Sequence, residues 1–372
     1  MTRRDFLKSS AAALAVGVSG CAGMAVKSGK GAGQRPNIFM IVVDDMGYGD
    51  VCAHGHPWFK TPNFDRLYRQ SVRMTDFMVS PSCAPTRAAL MTGAHEFRSG
   101  VTHTILGMEQ MSEACTTVAN VLSAAGYDTG MFGKWHLGDT GGHVPWRRGF
   151  DVGVIAKNDA ARAAQQMAVD PVFLFNADMR GDKGMAWLGG TRAFAFWRLP
   201  GVLEPRDVTE SCAHIDVLPT LAEVASASIG NVQDQVEGRS AWGLLTGKDP
   251  TWPERNLYAH VARWKPGMRD AHQYEGAMVR RGNYDLVRVK TAIGRDGYSV
   301  HPEFHRAATP HGDWALYDRK ADPAEEHNLA GRYPELVKRL SADFERWWAD
   351  SCKYLIHEKG ATNLLQSTTK EP

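Results

Sequence analysis

The sequence lacks a strong excess of charge of either sign. Its 372 residues include 43 Lys and Arg against 41 Asp and Glu, which gives a formal net charge of +2. Because bulk electrostatics supply most non-specific binding to nucleic acid, so small a charge argues against nucleic acid as a partner. A hydrophobic fraction of 43% with 11 Trp and 37 Gly is typical of a globular protein rather than a disordered one. The length allows one large domain, or a large and a small one.

Cysteine is also scarce, and no two cysteines form a Cys-x-x-Cys pair. An oxidising compartment would permit disulfides, but widely spaced cysteines do not reveal a pairing. Free, buried cysteines are therefore the simpler expectation. The six positions are Cys21, Cys52, Cys83, Cys115, Cys212 and Cys352.

The N-terminus has no apolar run long enough to span a bilayer. Paired arginines, Arg3 and Arg4, precede a short apolar stretch over residues 11–18. This pattern resembles a twin-arginine export signal over residues 1–25. We therefore expect an exported protein of the periplasm or cell envelope.

Residues 18–21 add a possible membrane anchor. They resemble a bacterial lipobox, in which Cys21 becomes the lipidated first residue of the mature protein. A signal without lipid is the alternative, and the lipid is the only expected contact with a membrane. A Gly-rich linker follows over residues 26–35.

The stretch from Ser80 to Gly93 predicts a helix with a reactive residue at its start. Cys83 is followed by Pro85, which fixes the backbone, and then by Arg87 and a run of good helix formers. Amide dipoles at the N-terminus of a helix favour negative charge, so this is a place to hold an anion. A thiol there is a candidate nucleophile with a lowered pKa, and a buried structural cysteine is the alternative.

A nearly continuous apolar run over residues 36–43 ends in two adjacent carboxylates, Asp44 and Asp45. Such a run predicts a central parallel strand covered on both faces, and open α/β sheets bind ligands at the carboxyl ends of their strands. Neighbouring carboxylates repel unless a cation binds them or one is protonated, so a divalent cation, Ca²⁺ or Mg²⁺, is expected here. A solvated acidic turn is the alternative.

A further block, residues 127–138, places Lys134 and His136 two positions apart. In an extended segment their side chains would face the same side, so both could point at one anion. Taken alone, a Lys-x-His pair most often belongs to the exposed surface.

Taken together, these blocks resemble the motifs of the sulfatase family. The likeness covers most of residues 36–348, and its most characteristic part is the family signature, Cys-x-Pro-x-Arg. The matching stretches are residues 44–49 (Asp-Asp-x-Gly-x-Gly), 83–87 (Cys-x-Pro-x-Arg), 133–138 (Gly-Lys-Trp-His-Leu-Gly), 183–192 (Lys-Gly-x-x-x-Glu-Gly-Gly-x-Arg, with Leu188 in place of Glu) and 214–221 (His-Ile-Asp-Leu-Leu-Pro-Thr-Leu, with Val217 in place of the first Leu).

The resemblance implies hydrolysis of sulfate esters of a small molecule or glycan. In that family a maturation enzyme oxidises the cysteine, here Cys83, to formylglycine, whose hydrated aldehyde attacks sulfur. The resemblance also implies that Asp44, Asp45 and the modified Cys83 hold the divalent cation. The implied catalytic residues are Cys83, Arg87, Lys134, His136 and Lys183, and the implied substrate-binding residues are Lys134, Lys183 and Arg192.

The chain departs from the family pattern after about residue 175. Residues 171–175 match a family strand that normally continues with a catalytic histidine and, much later, with a strand that completes the metal site. Here residues 175–183 lead directly into the Lys-Gly block, so the domain is shortened at this point. Asn176, Asp178 or Asp182 could replace the missing ligands, although their spacing does not prove it.

Two other functions therefore stay open. One is a non-catalytic sulfatase-like protein that binds sulfated ligands, and the shortened metal site favours it. The other is a phosphatase or phosphonate-ester hydrolase of the same superfamily, against which the complete Cys-x-Pro-x-Arg motif argues.

The implied fold is an alkaline-phosphatase-like α/β sandwich with a central mixed, mostly parallel sheet and a smaller C-terminal α+β subdomain. We place the catalytic domain at residues 36–250, the C-terminal subdomain at 251–355 and a tail at 356–372. Alternating polarity predicts a hairpin that turns at Gly282 and Asn283.

Local sequence patterns predict three helices, the place of His214 and further contacts with substrate. Helices are predicted to start near Thr61 and at Pro334 and to cover residues 113–126. His214 is predicted to pack near a helix start rather than to bind a ligand. The candidate contacts of the C-terminal subdomain with substrate are His301, His305 and Arg306.

Overall fold

The computed structural model describes residues 35–155, 175–289 and 313–358. The chain divides into residues 1–37 and residues 38–372, and all elements below belong to the second unit. The predicted export signal and Cys21 lie outside the described residues. So do the candidate substrate contacts His301, His305 and Arg306. Across the three described ranges, we find no helix with the length and apolar character needed to cross a membrane.

The main sheet is built around one strand, β1 (Val72–Met78). It pairs antiparallel with β4 (Arg192–Trp197) and parallel with two short strands, β5 (Arg206–Val208) and β6 (Cys212–Ala213). The sheet is therefore mixed, as predicted. A separate parallel pair joins β2 (Gly130–Gly133) to β3 (Val152–Ile155).

Helices cover the main sheet and enclose its core. They are α1 (Pro62–Arg69), α2 (Cys83–Thr92), α3 (Val118–Ala124), the short α4 (Leu188–Thr191), α5 (Val217–Val224) and α6 (Trp242–Thr246). The predicted helices at Thr61 and within residues 113–126 are thus present. The second, α3, starts later than predicted because the side chain of Thr117 caps its N-terminus by accepting from the N–H of Asn120. Apolar residues of α2, α3 and α5 share one buried cluster with β1.

The C-terminal part is an antiparallel sheet packed against one long helix. The sheet runs in the order β10 (Ala315–Asp318), β9 (Tyr284–Val289), β8 (Gly276–Arg281), β7 (Leu257–His260). The predicted hairpin is confirmed as β8 and β9, and Gly282 at its turn has a φ of 55°. The helix is α7 (Pro334–Ser351), which begins at the predicted proline and buries Leu340, Phe344, Trp347 and Trp348.

The prediction of a central strand over residues 36–43 is wrong. The described backbone of this run is assigned to no strand, and Phe39 and Ile41 are 90% and 84% exposed. A doubly covered strand needs hydrogen-bonded neighbours on both edges and packed layers on both faces. Within the described residues no strand pairs with this run, and although Ile38 packs against the core, Phe39 and Ile41 do not.

A buried ion network joins β1 to the C-terminal sheet. Asp76 of β1 is bound by the guanidinium of Arg319, which follows β10, and lies 3.6 Å from Arg280 of β8. Arg280 also pairs with Asp285 of β9 at 2.6 Å and 2.8 Å. Burial acts to raise the pKa of Asp76, but the charges of Arg280 and Arg319 outweigh it and lower that pKa to about 2.

Candidate functional site

Cys83 is the first residue of α2, as predicted, and is partly buried. The helix ends at Gly93, which has a φ of 69° and donates its N–H to the carbonyl of Ala89. Burial alone raises the pKa of the Cys83 thiol, but a hydrogen bond and charge from His136, with the charges of Lys134 and Lys183, lower that pKa to about 7.

Arg87 lies one turn after Cys83 along α2 and joins Cys83, Lys134, His136 and Lys183. Its guanidinium donates to the carbonyl oxygen of Lys134 at 2.5 Å and lies 3.3 Å from the carboxylate of Asp44. The fold thus brings together the five residues predicted to be catalytic. We call them the Cys83 cluster: Cys83, Arg87, Lys134, His136 and Lys183.

The route by which Lys134 and His136 reach Cys83 differs from the prediction. β2 ends at Gly133, and φ values of 104° at Gly133, 61° at His136 and 102° at Gly138 turn the chain out of the extended conformation. The side chains therefore converge through turns rather than through strand alternation. Imidazole Nε2 of His136 donates to the carbonyl of Thr104 at 3.0 Å, which leaves Nδ1 as the nitrogen able to take a proton.

The adjacent carboxylates Asp44 and Asp45 are both paired with cationic side chains. Asp44 accepts from Nζ of Lys134 at 2.7 Å in addition to its contact with Arg87, and Asp45 is bound by Nζ of Lys183. Burial raises the pKa of Asp44, but the hydrogen bonds and charges of Lys134 and Arg87 outweigh it and leave the pKa below its usual value. The charges of these basic side chains offset the repulsion between the two carboxylates.

Asp44 and Asp45 alone do not complete the set of oxygen ligands that the expected divalent cation needs. Calcium takes six to eight oxygen ligands, whereas here two carboxylates are engaged by Lys134, Lys183 and Arg87. Within the described residues, no group of three or more His, Cys, Asp or Glu side chains is arranged to hold a metal ion.

The residues considered as substitute ligands lie beside residues 44–50, which we call the Asp44 turn, without completing the set of metal ligands. A side chain at Gly49 would collide with the backbone of Phe175 and Ala177, so residues 175–177 pack directly against this turn. Asn176, however, turns its amide group toward the carbonyls of Met179 and Gly181, and Asp178 is exposed. Their role as ligands remains a prediction.

The Lys-Gly block is anchored to the turn that precedes Cys83. The N–H of Gly184 donates to the carbonyl of Pro81 at 2.6 Å, and the N–H of Val79 donates to the carbonyl of Thr191 at 2.8 Å. These bonds hold Lys183 beside the Cys83 cluster.

Arg192 lies apart from that group. Its guanidinium donates to the carbonyl of Thr75 at 2.6 Å and 3.2 Å and stacks on the ring of Tyr48, 4.1 Å from the centroid. These contacts link β4, β1 and the Asp44 turn. Binding of substrate by Arg192 remains a prediction.

One buried carboxyl that contacts the Lys-Gly block, Glu325, gave no signal in the sequence. Glu325 accepts from the N–H of Leu188 at 2.9 Å and is fully buried. Burial raises its pKa to about 8. Glu325 lies outside every motif of the sequence, so only the folded chain shows that it supports the block with Lys183 and Arg192.

Comparison with known proteins agrees with the motifs. The family model described as Sulfatase matches residues 36–173. Arylsulfatase A of Bos taurus is 44% identical over 454 aligned residues, which cover 84% of this chain and 87% of that protein. Arylsulfatase A of Homo sapiens is 27% identical over 462 residues, which cover 85% of this chain and 88% of that protein.

Both alignments are longer than this whole chain, so they include many positions at which this chain has no residue. Among solved structures, Ps i-CgsB in complex with k-i-k-neocarrahexaose has a TM-score of 0.67 at 18% identity, over 88% of this chain and 96% of that chain. This likeness confirms the alkaline-phosphatase-like α/β fold. Given the identity and coverage with bovine arylsulfatase A, the chain belongs to the sulfatase family, the sulfuric ester hydrolases of the alkaline-phosphatase superfamily.

Proposed function

We propose that this chain hydrolyses sulfate esters at the Cys83 cluster and that Cys83 is first oxidised to formylglycine by a maturation enzyme. The observation that carries the proposal is the meeting of Cys83 with Lys134, His136 and Lys183, whose combined effect lowers the pKa of the thiol to about 7. A position that stabilises a thiolate in this way also suits a sulfate group, because both are anions. Three cationic side chains, Arg87, Lys134 and Lys183, have further N–H groups to donate to its oxygens while they remain paired with Asp44 and Asp45.

Position 83 also suits the modified residue. It is partly buried, at the start of a helix, and next to an imidazole. Formylglycine would supply a hydrated aldehyde. As one hydroxyl loses its proton and bonds to sulfur, the ester S–O bond would break and the alcohol would leave with a proton. The second hydroxyl would then lose its proton, the C–O bond to the sulfate group would break to release inorganic sulfate, and water would rehydrate the aldehyde that re-forms.

The other side chains of the cluster, and Asp44 beside them, have separate roles in binding and proton transfer. Arg87, Lys134 and Lys183 orient the sulfate and stabilise the charge that develops on its oxygens. His136, with Nε2 committed to Thr104, takes at Nδ1 the proton of the hydroxyl. Asp44 holds Lys134 and Arg87 in place.

The substrate class and the cation are part of the proposal. Ps i-CgsB was solved with k-i-k-neocarrahexaose, so we propose a sulfated carbohydrate as the first class to test here, and an aryl sulfate as the second. Calcium, or magnesium in its place, is the cation to assay at Asp44, Asp45 and Cys83. We also propose export to the periplasm or cell envelope, with lipid on Cys21 tested by mass spectrometry of the mature N-terminus.

The experiment co-expresses the chain with a formylglycine-generating enzyme and compares it with Cys83→Ala. Mass spectrometry of the Cys83 peptide measures the conversion of Cys83 to formylglycine. The rates of hydrolysis of a matched aryl sulfate and aryl phosphate measure turnover. We expect sulfate hydrolysis that Cys83→Ala lowers about 10³-fold or more, since loss of a nucleophile removes the covalent route.

Two results would contradict the proposal. Full conversion without turnover, together with unchanged binding of a sulfated glycan by Cys83→Ala, would indicate a binding protein. Faster hydrolysis of the phosphate than of the sulfate would indicate a phosphatase or phosphonate-ester hydrolase.

A further inference from the structure

A buried polar group lies directly behind the turn that carries Cys83. It consists of Ser80, Glu96 and His214, which are 3%, 0% and 2% exposed. They come from three separate places in the chain: the end of β1, the short 3₁₀ turn after α2, and the 3₁₀ turn before α5. Polar side chains this deeply buried are costly unless they serve one another.

Ser80 is hydrogen-bonded to the imidazole of His214, and Glu96 lies beside the same nitrogen. Oγ of Ser80 and Nε2 of His214 share a hydrogen bond of 2.8 Å, and Oε2 of Glu96 lies 3.9 Å from the same nitrogen. Burial lowers the pKa of His214 to about 3 and raises the pKa of Glu96 to about 7, the second against smaller opposing contributions from its own backbone and from Ser80. His214 is therefore neutral at neutral pH.

The Ser80 turn also connects the two halves of the Cys83 cluster. The carbonyl of Ser80 accepts from the hydroxyl of Thr86 at 2.7 Å, which ties the turn to the first part of α2. The carbonyl of Pro81 accepts from the N–H of Gly184 at 2.6 Å, which ties the same turn to the residue after Lys183. The turn is therefore hydrogen-bonded both to the helix that begins at Cys83 and to the residue after Lys183.

We propose that Ser80, His214 and Glu96 are positioning residues for sulfate ester hydrolysis: they fix the turn at residues 79–82, and so set the placement of residue 83 relative to Lys134, His136 and Lys183. The proposal rests on the function proposed above. It assigns a role to side chains that touch neither the cluster nor a substrate. Misplacing a reacting group by about 1 Å can cost on the order of 10²-fold in rate.

The experiment compares Ser80→Ala with Ser71→Ala, since Ser71 is equally buried but lies at the start of the main sheet rather than beside Cys83. In protein matured with formylglycine, we expect Ser80→Ala to lower kcat about tenfold or more on an aryl sulfate, with KM changed less than about threefold. KM changes less because Arg87 and Lys134 are held by Asp44 rather than by the turn. Ser71→Ala should leave both constants unchanged.

A second readout does not depend on turnover. In unmatured protein, we expect iodoacetamide to modify Cys83 about threefold or more slowly in Ser80→Ala than in wild type, because the thiol no longer faces its three basic neighbours. Thermal unfolding of both serine variants checks that stability losses are matched. If wild type matures but has no turnover, the proposed function fails while the alkylation comparison still decides the positioning role.

A second pair of variants covers the case in which Ser80→Ala does not fold. His214→Gln is compared with His260→Gln, because His260 is also 2% exposed but donates to the carbonyl of His272 and lies against Trp348 rather than bonding to Ser80. The proposal is supported if Cys83 is alkylated more slowly than in wild type in His214→Gln but not in His260→Gln. Equal alkylation rates in wild type, Ser80→Ala and His214→Gln, or equal losses in the His260→Gln control, would overturn it.

Discussion

Two segments of the main unit show the opposite of what their hydropathy suggests. Residues 38–43 are all apolar, yet Phe39 and Ile41 are almost fully exposed. β1 contains Arg73, Thr75 and Asp76, yet it is the strand on which the main sheet is built, and Val72 is fully buried.

The difference lies in the partners of each segment. β1 is hydrogen-bonded to β4 on one edge and to β5 and β6 on the other, and the carboxylate of Asp76 is neutralised by Arg319 and Arg280. Within the described ranges, no strand pairs with residues 38–43. Apolar composition favours burial, but neighbouring strands and charge partners decide which segment becomes the centre of a sheet.

The largest effect should come from removing the charge partner inside β1. Asp76→Ala leaves Arg319 buried opposite an apolar methyl group, so we expect a loss of about 3–5 kcal/mol in the free energy of unfolding. Urea denaturation measures it. The matched control is Asp207→Ala on β5, whose ion pair with Arg73 is half exposed and should cost below about 1 kcal/mol. Equal losses in the free energy of unfolding of the two variants would show that the buried network contributes no more to stability than an exposed ion pair.

A somewhat smaller effect should appear as a dependence on pH at Glu325, which links the Lys-Gly block to the C-terminal part. Burial raises the pKa of Glu325 to about 8, with a further contribution from Asp285, so the folded chain holds this proton more tightly than the unfolded chain. The resulting stability is fully present below about pH 4.5 and is lost as the pH rises toward 8.

The measurement is the free energy of unfolding of wild type and Glu325→Gln between pH 5 and pH 8. We expect wild type to lose about 2–4 kcal/mol more than the variant over this range. Glu326→Gln, at the exposed neighbouring position, should behave like wild type. A pH dependence in Glu325→Gln as steep as in wild type would show that Glu325 ionises freely in the folded chain.

The same comparison explains what the sequence could and could not predict. The helix that starts at Cys83, the β8–β9 hairpin and α7 depend on contacts close in sequence, such as a proline near a first turn or a glycine with positive φ, and those were predicted. The meeting of Cys83 with Lys134, His136 and Lys183 was expected only through the family resemblance.

Other features depend on contacts between distant residues. Glu325 meets Leu188 across 137 positions, and Ser80 meets His214 across 134. No local pattern marks either pair. The wrong strand at residues 36–43 has the same origin, because its burial depended on neighbours that an apolar run cannot reveal.

The smallest expected effect tests the exposed segment itself. Phe39 is 90% exposed, so Phe39→Ala removes almost no buried area and should change the free energy of unfolding by less than about 0.5 kcal/mol. The control is Phe97→Ala, at a fully buried ring packed between Trp264 and Trp347, which should cost about 3–5 kcal/mol. A loss above about 2 kcal/mol for Phe39→Ala would mean that residues 38–43 are covered in solution, and hydropathy alone would then have identified a central strand correctly.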